Sequence, residues 1–67
     1  MILLNGEESD LRAGETVVAA LARLRLSLDA RGVAVAVDGQ VVSRASWETY
    51  TLAADARVEV LTAMQGG

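Results

Sequence analysis

Apolar residues recur along this chain with two different periods, and the changes of period mark the elements. Met1-Ile2-Leu3-Leu4 is a short apolar run closed by Asn5-Gly6. That dipeptide suits a two-residue hairpin, because both positions tolerate positive φ. The pattern predicts a first strand over Met1 to Leu4 and a polar second strand from Glu7 to Arg12. Ala13-Gly14-Glu15 breaks the sheet pattern. Thr16 then stands as a helix N-cap, its hydroxyl able to accept a bond from a first-turn N–H. Val17, Leu21, Leu24 and Leu28 follow at i, i+4, i+7 and i+11, which is one face of a helix. Ala19, Ala20 and Ala22 favour that helix intrinsically. Leu24, Leu26 and Leu28 also alternate with Arg25 and Ser27. The regular helix is therefore expected to end near Arg25, with Leu26 to Arg31 as a packed connection closed by Gly32.

The period then changes to two. Val33, Val35 and Val37 alternate with Ala34 and Ala36, a signature of a strand built from β-branched residues. The Val face is the bulkier one and is expected to meet the helix. Asp38-Gly39 predicts a hairpin turn, with Gln40 to Ser43 as the returning strand. Arg44 to Tyr50 is mixed, and Ser46 is placed to cap a short turn within it. Val58 and Val60 alternate with Arg57 and Glu59 in a last strand running towards Met64. Gln65-Gly66-Gly67 cannot sustain a strand and is expected to be a flexible tail. The order strand, strand, helix, strand, strand, strand predicts an α+β domain over residues 1–67, with a mixed sheet of four to five strands covered on one face by one main helix.

Composition narrows the function. A chain of 67 residues is one domain, and it buries only about 60% of its unfolded surface. It has no Cys and no His, which excludes disulfides and Cys/His zinc sites. The chain is 52% hydrophobic, yet Trp47 and Tyr50 are its only aromatics, so aliphatic side chains must build the core. Its cations are six Arg and no Lys, and the net charge is −3. That balance argues against a nucleic-acid binder and favours partners with basic patches. The apolar N-terminal run is too short for a signal peptide or a membrane helix. The reading is a cytoplasmic protein, or one of a stroma or matrix after loss of a transit peptide. Without His, Cys or Lys the usual nucleophile–base pairs and Schiff-base chemistry are missing, so the chain is not expected to be an enzyme. Glu7, Glu8 and Asp10 have no calcium-loop spacing, and no metal site is expected.

Taken in order, Leu3-Leu4-Asn5-Gly6, Gly14-Glu15-Thr16-Val17, Val33 to Gly39, Arg44 with Ser46-Trp47, and Val58-Glu59-Val60 leading to Gln65-Gly66-Gly67 resemble the ThiS family. These are the sulfur carriers of thiamine thiazole biosynthesis, with a β-grasp (ubiquitin-like) fold. The chain departs from the family at three places. Asp38 stands where the family often has Asn, Ser43 where it often has Pro, and Ala54-Asp55-Ala56-Arg57 where it usually has a Gly-Asp turn.

The resemblance implies that Gly67 is the covalent site. An E1-like adenylyltransferase of the ThiF type would activate its carboxylate, and a persulfide sulfur donor would convert it to a thiocarboxylate. A thiazole synthase of the ThiG type would take the sulfur. ATP and Mg²⁺ belong to the activating enzyme, so no cofactor is expected on this chain. Gly66 gives access, since glycines enter a narrow channel and adopt torsions closed to other residues. Leu61 and Ala63 are candidates for a docking surface beside the tail, because Val58 and Val60 are expected to face inward. Trp47 is expected to pack over the core. Arg44 is open between a partner and a local carboxylate. The alternatives are a carrier for another pathway (molybdopterin, cysteine or a secondary metabolite), a ubiquitin-like modifier, or an interaction domain with an inert tail.

Overall fold

The computed structural model of the chain describes residues 1–27, 29 and 31–63. Its elements are β1 (Leu3–Leu4), β2 (Glu7–Glu8), α1 (Val17–Arg23), β3 (Val33–Val37), β4 (Gln40–Val42), a 3₁₀ turn (Arg44–Ser46) and β5 (Arg57–Thr62). They form one mixed sheet in the order β2-β1-β5-β3-β4. β1 runs parallel to β5, and the other pairs are antiparallel. This is the β-grasp arrangement of five strands and one main helix that the resemblance implied.

Two turns fix the sheet, and both do more than reverse the chain. Asn5-Gly6 and Asp38-Gly39 each place two successive residues at positive φ, as a two-residue hairpin requires. The first residue of each pair also grips β5. Asn5 N–H donates to the Val58 carbonyl at 2.8 Å, and Val60 N–H donates to Asn5 Oδ1 at 2.8 Å. Asp38 N–H donates to the Arg57 carbonyl at 2.8 Å, and Arg57 N–H donates to Asp38 Oδ1 at 3.0 Å. Aspartate therefore meets both demands at position 38, reversing the chain and accepting the β5 amide. The family's Gly-Asp turn has a working replacement as well. Asp55 takes φ +63, Ala56 N–H closes on the Ala53 carbonyl at 3.2 Å, and the N-terminal ammonium of Met1 pairs with the Asp55 carboxylate.

The second strand is shorter than its polar pattern predicts. Pairing stops at Glu8. Both the N–H and the hydroxyl of Ser9 then donate to the Ile2 carbonyl. This closure turns the chain inward and lets Leu11 join the core. Burying one leucine outweighs extending a strand that has no apolar face to cover.

The start of the helix also differs in mechanism. Thr16 occupies the N-cap position with extended backbone, but its side chain makes no capping bond. Thr16 instead forms an antiparallel bridge with Thr51. Val17 N–H donates to the Tyr50 carbonyl and Leu52 N–H to the Glu15 carbonyl. A backbone carbonyl thus satisfies a first-turn donor that a cap hydroxyl would otherwise take.

At the other end α1 stops at Arg23, two residues before the expected boundary. Arg25 adopts φ +60. Its N–H donates to the Ala22 carbonyl, and Leu26 N–H donates to the Leu21 carbonyl. This pair of bonds is a Schellman closure, in which glycine is the usual residue at the left-handed position. An arginine there hides the stop signal. Leu26 is held against the core, while Leu28 lies outside the described residues.

The core lies between α1 and one sheet face. Val17, Ala20 and Leu21 meet Ile2, Leu4, Val35, Val37, Val42, Val58 and Val60, so the valine face of β3 does point to the helix. Trp47 fills the end of this core and is 1% exposed. Its indole Nε1 donates to the Val42 carbonyl at 2.9 Å, as a buried indole N–H requires. The 3₁₀ turn that delivers it begins after Ser43, with no side-chain cap. Ser46 acts there mainly through its carbonyl, which accepts Thr49 N–H at 3.1 Å and Tyr50 N–H at 2.8 Å. Among the described residues no polar or charged side chain is buried. No helix there is long and apolar enough to cross a membrane.

Candidate functional site: the outer sheet face and the end of β5

β5 is the central strand of the sheet, and its alternation sorts side chains between two environments. Val58 and Val60 are buried, while Arg57, Glu59 and Leu61 are exposed on the face opposite α1. Leu61 is 70% exposed and sits across from Ala34 of β3. On the other side of β3, Val41 of β4 is 80% exposed and sits across from Ala36. Ala36 also faces Glu59. Leu61 and Val41 therefore rise from one face with only small alanines between them on the intervening strand. The result is a shallow apolar strip on the outer sheet surface. Val41 was missed in the sequence, where Val41-Val42 reads as two equivalent valines. The period-two rule with Val42 inward would have found it.

Charges flank this strip. Asp38, Gly39, Arg57 and Glu59 line an open depression of about 420 Å³. It mixes both signs. On β2, Glu7 and Glu8 are exposed. Asp10 serves elsewhere, accepting Arg23 Nε at 2.6 Å. That hydrogen bond and the charge of Arg23 hold the Asp10 carboxyl below the usual aspartate range. Among the described residues no cluster of three or more acidic side chains could hold a metal ion.

The end of β5 is anchored. Thr62 pairs with Val33, and Ala63 N–H donates to the Gly32 carbonyl at 2.6 Å. Ala63 is exposed, so both docking candidates, Leu61 and Ala63, are solvent-accessible. The tail glycines Gly66 and Gly67 lie outside the described residues. The guanidinium carbon of Arg44 lies 4.5 Å from the centroid of the Trp47 ring. It covers the outer side of the indole with a cation–π contact.

Comparison with known proteins agrees with this architecture. The family model of the ThiS family matches residues 2–67. A crystal structure of the thiamine biosynthesis protein ThiS from Geobacter metallireducens is 28% identical, with a TM-score of 0.72, over 98% of this chain and 97% of that one. A solution NMR structure of a thiamine biosynthesis protein from the same organism is 29% identical, with a TM-score of 0.72, over 98% of this chain and 86% of that one. Comparison with curated proteins gives no significant match. The family match runs from the first strand to the terminal diglycine, and the five-stranded sheet with its single main helix superposes on both ThiS structures: the chain belongs to the ThiS family.

Proposed function

We propose that this chain is a sulfur carrier of thiamine biosynthesis that bears sulfur on the C-terminal carboxyl of Gly67. The observation that carries the reading is the ThiS-family match over residues 2–67, which includes Gly66-Gly67. The residue inventory supports it. With no Cys in the chain, sulfur has no internal thiol to ride on, and the terminal carboxyl is the remaining covalent site.

A carboxylate is a poor electrophile, so it must first gain a leaving group. A carboxylate oxygen of Gly67 attacks the α-phosphorus of ATP in a ThiF-type adenylyltransferase, releasing pyrophosphate and forming an acyl-adenylate. The terminal sulfur of a persulfide then attacks the carbonyl carbon and AMP departs. A thiol next takes the donor's remaining sulfur as a disulfide and leaves the thiocarboxylate. That anionic sulfur is the nucleophile passed to a ThiG-type thiazole synthase. Metal and nucleotide belong to the activating enzyme, and this chain supplies the handle. The apolar strip of Val41 and Leu61, continuing to Ala63, is the part of that handle that partners hold. Val41 and Leu61 are 80% and 70% exposed, and exposed apolar side chains rimmed by charge mark docking faces.

The thiamine assignment is tested by sulfur delivery. The thiocarboxylate form, mixed with purified thiazole synthase and its other substrates, should yield the thiazole product stoichiometrically. A thiocarboxylate that forms but gives no thiazole would move the carrier to another sulfur pathway.

A further inference from the structure

Gly32 differs from the other described glycines. Gly6, Gly14 and Gly39 also take positive φ, but a Cβ at each would meet nothing within 4 Å. At Gly32, with φ +70, a Cβ would lie 3.0 Å from the Ala63 Cβ, 3.6 Å from its backbone N and 3.7 Å from its O. The same Gly32 carbonyl accepts Ala63 N–H at 2.6 Å. Beside it, Val33–Thr62 is the last pair of the β3–β5 ladder. With a Cβ at position 32, Ala63 would have to shift by a few tenths of an ångström for the strand end to stay closed on its neighbour.

Ala63 is also the last described residue before the C-terminal segment. Four residues follow it, Met64 to Gly67, and fully extended they span at most about 14 Å. A reach that short makes the origin of the tail matter. Leu61 lies two residues upstream on the same strand, so a partner that grips it receives Gly67 from the starting point that Ala63 sets. We propose that Gly32 is a positioning residue for adenylation, clamping Ala63 so that the docking face and the Gly67 carboxylate reach the activating enzyme in fixed register. This rests on the carrier reading above. Reacting atoms must approach to about 3–3.5 Å, and a misplacement of about 1 Å can cost 10²-fold in rate.

The test uses the full chain with Gly32→Ala, and with Gly32→Asn, because asparagine tolerates positive φ while still adding a Cβ. Each is combined with Ala63→Gly, which removes the atom that the new Cβ meets. Steady-state adenylation by the ThiF-type enzyme should show the carrier KM within about twofold of wild type and kcat down roughly tenfold. In each double variant kcat should return to within about threefold of the Ala63→Gly single variant. Hydrogen exchange at the Ala63 amide should be faster in Gly32→Asn and should slow again in its double variant. Unchanged kcat in a folded Gly32→Asn protein, or no rescue by Ala63→Gly, would overturn the proposal. A residue kept only for its φ would show no such rescue. If wild type itself accepts no adenylate, the carrier reading fails and the positioning role of Gly32 in adenylation with it. The exchange experiment then still decides whether the clamp exists.

Discussion

Trp47→Ala is expected to leave the domain at the edge of unfolding. Trp47 is among the largest fully buried side chains, and its truncation removes core contacts on several elements at once. Replacing a buried Trp by Ala typically costs about 3–5 kcal/mol. A chain of this length has a total stability of roughly 3–10 kcal/mol, so the loss takes most of the reserve. The indole N–H bond to Val42 disappears as well, along with the surface on which Arg44 stacks. Trp47→Phe keeps much of the volume but not the donor, and should cost about 1–3 kcal/mol through the unsatisfied carbonyl and the residual void. Urea unfolding followed by far-UV circular dichroism measures both. A Trp47→Ala midpoint corresponding to a loss under about 1 kcal/mol would show that Trp47 does not anchor the core.

Leu61→Asp should do the opposite, leaving the fold and removing the function. Leu61 is mostly exposed and faces only Ala34 across the ladder. The cost to folding is limited to strand preference and proximity to Glu59, about 1 kcal/mol. Docking is different, because the carboxylate would be buried unpaired against the partner. Stranding a charge in an interface costs about 2–5 kcal/mol, so the carrier KM in adenylation should rise roughly 30-fold or more. Val41→Asp should behave alike if the strip is one surface. Unchanged kinetics for folded Leu61→Asp would remove the outer face from the docking model.

The contrast between these two positions also shows what local pattern can and cannot reveal. The Asn5-Gly6 and Asp38-Gly39 turns, the valine alternation of β3 and the inward valines of β5 are all legible, because each depends on torsions or periods within a few residues. The same rule placed Leu61 on the outer face. What escaped depends on distant partners. Thr16 reads as a cap, but Thr51 reaches it first with a backbone bridge. Arg25 reads as one more helical residue, because nothing local announces a non-glycine at positive φ. Glu7 to Arg12 reads as a polar strand until the burial of Leu11 is known. The parallel pairing of β1 with β5 has no local signal either, because it joins Leu3 to Arg57 and Leu4 to Val58 from opposite ends of the chain. Gly32 illustrates the same limit. Its role depends on Ala63, 31 positions away along the chain.

The central claim is that Gly67 carries sulfur, and intact mass measures this most directly. The chain is incubated with the ThiF-type enzyme, ATP, Mg²⁺ and a persulfide donor, alongside a control lacking Gly67. The account predicts that the full chain exchanges one oxygen for sulfur, a gain of about 16 Da, and that the truncated chain does not change. The exchange follows from displacement of AMP at an activated carboxyl. An unmodified full chain, a larger amide conjugate in its place, or an equal mass gain in the chain without Gly67 would contradict it.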